Sequence, residues 1–174
     1  MAWVFVYGSL VADNGREAVP CSLHGHRRVW GVAMDNRVDL PAYKHYLDER
    51  GGRPAVYVAF LDLEPAPGVT VNGAAIPVDD AELPALDARE RNYTRLAVDG
   101  GLDVELGGEV YTYVGSEAGR GRLRAGLAAR TAVIHAAYRD NVLRGFEAAG
   151  QLEAFVASTA PEPCPVRALT RVDH

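Results

Sequence analysis

The sequence contains only two cysteines, Cys21 and Cys164, far apart and in no metal-type spacing. A disulfide framework needs more cysteines in a shorter chain, so a reducing compartment is the simpler reading. No apolar run approaches the length that crosses a bilayer. The start, Met1 to Val6, is apolar but has no basic leader and runs straight into a glycine turn, which reads as a β-strand rather than a signal peptide. These features predict a cytoplasmic protein. Basic residues are not in excess: the formal net charge is −5, which argues against a general nucleic-acid binder or a peripheral membrane protein. The chain has no internal repeat, low-complexity tract or linker. At 174 residues it reads as one domain, 1–174, with enough length to bury a core. Regular strand–helix alternation is also missing, which excludes a doubly wound sheet and predicts an α+β fold.

Strands are expected where β-branched and aromatic residues cluster. Trp3 to Tyr7 is such a run and is closed by Gly8. Others are Arg28 to Met34, Ala55 to Leu63, Tyr93 to Val98 and Glu109 to Val114, the last two joined by an excursion marked by Gly100-Gly101 and Gly107-Gly108. Asn72-Gly73 suggests a hairpin turn between Val69–Val71 and Ala74–Val78. One helix is expected from Asp79 or Asp80 to about Arg91, with Pro84 in its first turn. Another is expected from Thr131 to Ala149, because Ile134, Tyr138, Val142 and Phe146 recur every four residues. Shorter helices fit Arg122–Ala129 and Leu152–Ala157. The proline-rich end, 159–174, reads as an extended tail.

Within the first predicted helix, Glu90 lies seven residues beyond Leu83 and so on the same face, flanked by Leu86 and Asp87. Its carboxylate falls where burial is expected. Two readings stand. In one, Glu90 turns outward and pairs with Arg89, Arg91 or Arg95. In the other it is buried, and desolvation raises its pKa toward the range useful for proton transfer. A second feature is Tyr7-Gly8-Ser9-Leu10, directly after the first strand. A strand ending in a glycine turn groups backbone N–H donors that suit a carboxylate or an oxyanion, although Gly-Ser turns are also common without such a role.

Taken together, Val4-Phe5-Val6-Tyr7-Gly8-Ser9-Leu10 and Leu86-Asp87-Ala88-Arg89-Glu90-Arg91-Asn92-Tyr93 resemble the γ-glutamylcyclotransferase-like superfamily, most closely its ChaC-like branch. His26-Arg27-Arg28-Val29-Trp30 is similar to the strand that follows the first loop in those proteins. The resemblance implies a small mixed β-barrel flanked by a few helices. It also implies a cofactor-independent enzyme, of lyase or acyl-transfer type, that releases 5-oxoproline from a small γ-glutamyl compound. The substrate's own α-amine would attack its γ-carbonyl. The residue matching the catalytic position is Glu90, as general acid and base. Tyr7, Gly8, Ser9 and Leu10 would hold the substrate, and Tyr93 would orient Glu90 or line the pocket. Two departures bear on the substrate: only Arg91-Asn92 separates Glu90 from Tyr93, without the family's glycine pair, and the loop Val11 to Gly15 lacks a tryptophan. A γ-glutamylamine substrate, or a non-catalytic ligand-binding module on the same fold, are the alternatives. A small-molecule partner is implied, and a homodimer is compatible with it.

Other features are set aside. His24-Gly25-His26 has metal-type spacing but no acid or cysteine nearby, so an exposed pair is expected. Gly119-Arg120-Gly121-Arg122 starts like a dinucleotide loop without completing one. Arg120, Arg122 and Arg124 are expected to be solvated, with contact of one of them to a substrate carboxylate as the alternative. Asp87 is expected to pair outward with Arg91 at i+4. His135 is expected on a helix surface.

Overall fold

Val4, Phe5 and Val6 are all buried because strand β1 (Ala2–Val6) is central, antiparallel to β4 and parallel to β6. A strand with neighbours on both edges and both faces covered needs a continuous apolar run rather than an alternating one. The computed structural model describes residues 1–12 and 15–174. Asp13 and Asn14, in the loop after Leu10, lie outside the described residues.

The frame is a pair of long strands, β2 (Val19–Asp35) and β4 (Tyr57–Val78), antiparallel along nearly their whole lengths. The register shifts between His24 and His26 and between Trp30 and Val32. A glycine sits at each irregularity. Gly25 has φ 75°, and a Cβ on Gly31 would lie 2.6 Å from the Asp62 Cβ, so each position excludes larger residues for its own reason. The other edge of β4 takes β1 along its second half and β7 (Ala132–His135) along its first. Strands β5 (Tyr93–Ala97) and β6 (Val110–Gly115) extend the sheet beyond β1, and β8 (Val166–Arg167) extends it beyond β7. A separate ribbon pairs β3 (Lys44–Leu47) with β9 (Thr170–Asp173). Segment 159–174 is thus extended and supplies two strands.

The fold is α+β with a mixed sheet, but the sheet is not closed into the expected barrel. Strands β5 and β8 stand at its two ends, because β2 lies along β4 instead of bridging them. The hairpin expected at Asn72-Gly73 is also absent, since β4 runs straight through. Gly73 is there for a different reason: a Cβ would sit 2.2 Å from the Val6 carbonyl and 2.9 Å from the Phe5 ring. Close strand approach, not turn geometry, selects the glycine.

The helices are α1 (Leu83–Arg89), α2 (Glu117–Ala128), α3 (Ala136–Ala148) and α4 (Leu152–Ala157). Asp79 and Glu82 form a capping box ahead of α1, and Pro84 lies in its first turn. Helix α2 starts earlier than expected because the Ser116 hydroxyl accepts from the Gly119 N–H at 3.0 Å. Thr131 to His135 do not begin α3. Ala132 to His135 form β7, parallel to β4, so only Tyr138, Val142 and Phe146 of the apolar stripe are helical. Val142 and Phe146 are fully buried and pack with Phe5, Leu61, Ile134 and Phe155, each side chain contributing roughly 1.5–3 kcal/mol. No described helix is long and apolar enough to cross a membrane.

Candidate active site

A cavity of about 920 Å³ opens where β1 ends, beside α1, β3, β9 and the start of α3. Tyr7, Gly8, Ser9, Leu10, Glu90 and Tyr93 all line it. The turn residues lie about eighty residues from Glu90 and Tyr93 in sequence and are brought to them by the sheet, because β6 places the β5 end against β1.

The turn after β1 is a short 3₁₀ segment, Ser9–Val11, preceded by Gly8 at φ −134°. The Val11 and Ala12 N–H groups donate to the carbonyls of Gly8 and Ser9. The N–H groups of Gly8 and Ser9 find no acceptor among the described residues, so two adjacent donors remain in the lining of the cavity. The Tyr7 side chain contributes no polar group to it: it is buried, and its hydroxyl donates to the Tyr113 carbonyl at 2.5 Å. Its role is to anchor the strand end. Arg28, fully buried, donates through Nε to the Tyr7 carbonyl at 2.6 Å. Its Nη1 donates to the Thr159 hydroxyl at 2.9 Å, its Nη2 to the Asn72 carbonyl, and its guanidinium lies over both the Phe146 and Phe155 rings.

Glu90 does not belong to the helix that precedes it. Helix α1 ends at Arg89, and Glu90 caps it with φ −85° and ψ 57°. Its carbonyl accepts from the Tyr93 N–H at 3.0 Å, a tight turn that leads into β5. The two residues between, Arg91 and Asn92, are what such a turn needs. Buried Asn92 secures it, donating to the Tyr43 hydroxyl at 3.2 Å and accepting from Arg122 at 2.8 Å. The Glu90 N–H still closes the last helical bond, to the Leu86 carbonyl at 2.9 Å, so the residue stands where the helix ends and the turn begins. Its side chain is 21% exposed, and the nearest cation is Arg89 Nε at 3.9 Å. Arg91 instead donates to the Pro41 carbonyl, and Arg95 pairs with Asp87 at 3.4 Å. Burial raises the Glu90 pKa above the ordinary carboxylate range, with Arg89 and Lys44 opposing that rise in part.

Three cavity residues stood outside the sequence reading of the site. The Tyr138 hydroxyl, on the first turn of α3, lies within hydrogen-bonding reach of the Ser9 side chain and the Leu61 backbone, and burial raises its pKa. Tyr93 donates to the same residue's carbonyl at 2.6 Å. Lys44 lies over the Phe60 ring at 4.4 Å, and burial lowers its pKa to about 8. It is the sole lysine in the chain, a compositional oddity that could have drawn attention to it. His135 is buried, not on a helix surface. It ends β7, and its Nδ1 has no partner among the described residues.

Several expected interactions fall elsewhere. Arg120 pairs with buried Asp62 at 2.9 Å, Arg122 holds the Ala33 carbonyl and Asn92, and Arg124 pairs with Glu117. None of the three lines the cavity. Asp87 accepts from the Tyr113 hydroxyl at 2.8 Å and faces Arg95 rather than Arg91. His24 Nδ1 is engaged with the Thr70 hydroxyl and His26 Nδ1 with the His24 carbonyl. Among the described residues no group of three or more His, Cys, Asp or Glu side chains is placed to hold a metal ion.

A family model described as gamma-glutamyl cyclotransferase, AIG2-like, matches residues 4–128. The match covers the turn and Glu90 but ends before β7, α3 and β9. No curated protein matches the chain in sequence. Solved structures share its fold at low identity. A gamma-glutamyl cyclotransferase specific to glutathione from yeast is 13% identical, with TM-score 0.54, covering 90% of this chain and 98% of its own. The human uncharacterized protein loc79017 is 14% identical, with TM-score 0.54, covering 89% and 84%. A further gamma-glutamyl cyclotransferase is 12% identical, with TM-score 0.53, covering 89% and 84%.

Proposed function

The chain belongs to the gamma-glutamyl cyclotransferase, AIG2-like family, and we propose that it releases 5-oxoproline from a small γ-glutamyl compound without a cofactor. The observation that carries this reading is the pairing of parts in one cavity: a desolvated carboxylate, Glu90, and the two free N–H donors of the Gly8–Ser9 turn.

The nucleophile belongs to the substrate, so the protein needs to fold the γ-glutamyl group onto itself and move protons. Glu90 accepts a proton from the α-ammonium, which frees the α-amine to attack the γ-carbonyl. The carbonyl oxygen gains negative charge, which the turn donors and the Tyr138 hydroxyl are suited to stabilise. Collapse breaks the bond to the departing amine, to which Glu90 returns the proton. In all, the α-nitrogen gives up two protons and the departing amine takes two, so no water or oxidant is consumed. Burial of Glu90 serves this cycle, because a carboxylate with a raised pKa is both a better base and a usable acid near neutral pH. Tyr93, held by the Leu61 carbonyl, forms the wall behind Glu90. The two free thiols, Cys21 and Cys164, suit a reducing compartment, and we place the protein in the cytoplasm.

The direct test is 5-oxoproline release from a panel of γ-glutamyl amino acids, peptides and amines. Release from at least one, lost in Glu90→Gln, supports the reading. A panel with no product overturns it.

A further inference from the structure

The chain as a whole is acidic, at −5, but its cavity is not. Lys44, Arg89, Arg91, Arg144 and Arg171 line it against only Glu90 and Asp173. Arg171 is partnered by Asp173, with Nη2 2.6 Å from the carboxylate, and Arg91 is tied to the Pro41 carbonyl. Lys44 is different. It contacts two aromatic faces, Phe60 and Tyr43, and no carboxylate on the protein pairs with it among the described residues. Glu90 and Asp173 are within electrostatic reach, but so are Arg171 and Arg89, which oppose its charge. Buried His135, close enough to feel both Lys44 and Arg171, ends β7 just before α3. The first turn of α3 lines the cavity through Ala137 and Tyr138, and the positive end of that helix adds to the local potential. A half-buried ammonium without a partner is costly, and a carboxylate is the group that complements it.

We propose that Lys44, supported by Arg171 and the first turn of α3, forms a second carboxylate subsite in this cavity. The preferred substrate then carries a carboxylate on its departing amine. This inference rests on the cyclotransferase reading and narrows its substrate class. A γ-glutamyl amino acid or peptide has one ammonium and two carboxylates, a net charge of −1, which suits a cation-rich cavity. A γ-glutamyl alkylamine lacks the second carboxylate. Glu90 lies within electrostatic reach of both Lys44 and the Tyr7–Tyr138 side of the cavity. All of these residues line the one cavity, so the scissile amide would lie beside Glu90 with the departing amine's carboxylate toward Lys44. Lys44, His135 and Arg171 come from β3, β7 and β9, and the latter two lie outside the family match.

The test compares γ-glutamyl-L-alanine with γ-glutamylethylamine, which differ by that one carboxylate. The expected kcat/KM preference for the dipeptide is roughly tenfold to a hundredfold, the size of one charge-assisted contact. Lys44→Met keeps the stem over the two rings and should reduce the preference to about threefold or less, by loss on the dipeptide alone. Because Lys44 is the only lysine, lysine-labelled Glu90→Gln protein gives a single side-chain NMR signal. That signal should shift, and its pKa should rise, with the dipeptide and not with the ethylamine. If the signal responds selectively but no 5-oxoproline forms with the unaltered protein, the subsite stands and the cyclotransferase reading falls. If both compounds are converted equally and the lysine signal stays unmoved, the subsite is wrong and the reaction stands. A signal that stays silent with the dipeptide overturns the subsite whatever the activity.

Discussion

The Arg28 guanidinium donates to the Tyr7 carbonyl at 2.6 Å, so a fully buried cation holds the last peptide of β1 just before the Gly8–Ser9 turn. Among the described residues no carboxylate pairs with it. Carbonyls, hydroxyls and the two phenylalanine rings take its place, and burial pulls its pKa below the ordinary arginine range, to about 9. This network links β2, β4, the end of α4 and the candidate site. Arg28→Lys keeps the charge but not the fork of donors. It should cost about 3 kcal/mol in a denaturant titration, since several buried acceptors lose their donor. Loss of stability below about 1 kcal/mol would show that the network is not what holds the turn.

Glu90→Gln should leave binding largely intact and lower turnover at least a hundredfold, the lower end for general acid–base catalysis. Its stability at neutral pH should be equal or higher, because an amide is less costly to bury than a carboxylate. A variant that melts early instead would identify Glu90 as a structural group. One that stays active would mean another group carries the proton.

The same residue sets a pH dependence. Glu90's folded pKa is raised, so between the ordinary carboxylate pKa and the raised value the folded state binds more protons than the unfolded one. Its contribution to stability is therefore full below the ordinary value and is lost as pH rises through the raised one. Activity follows the opposite course, because only the ionised form accepts the α-ammonium proton. The acid limb of kcat/KM should lie above the ordinary glutamate range. A limb at or below that range would contradict the assignment of Glu90 as a desolvated base.

Tyr138→Phe removes one hydroxyl from beside Ser9 while leaving the ring packed edge-on to Trp30 and Phe60. A fall in kcat/KM of roughly three- to thirtyfold is expected, with a stability change of about 1 kcal/mol, the scale of one or two neutral hydrogen bonds. Steady-state kinetics beside a melting curve separates the two. Unchanged kinetics would remove Tyr138 from the site.

Gly73→Ala addresses the fold. An added Cβ would meet the Val6 carbonyl at 2.2 Å, and neither backbone can yield without breaking the β1–β4 register. A loss of about 3 kcal/mol or more is expected. A neutral substitution would show that β1 does not approach this position as closely as the structure has it.

What the sequence determined by itself was local. The run Trp3 to Tyr7 with its closing glycine specifies a buried strand and turn, Asp79 and Glu82 form a capping box ahead of α1, and α4 lies where its apolar residues indicate. The motif pair around Ser9 and Glu90 was legible too, and both residues line the one cavity. Tertiary structure decided the rest. Thr131 to His135 continue the four-residue apolar spacing of α3, yet their β-branched side chains pair along β4, and periodicity does not register an available strand edge. Asn72-Gly73 carries the chemistry of a turn, but the proximity of β1 gives Gly73 its meaning. Glu90 lines the cavity from the last helical position of α1, where the turn into β5 begins, and only the assembled sheet sets the Gly8–Ser9 turn in the same cavity. Lys44, His135 and Arg171 acquire their place only when β3, β7 and β9 assemble. Charge in a cavity is a property of that assembly: the same residues are solvated and unremarkable along the chain, and become a demand for an anion once folding removes water from them.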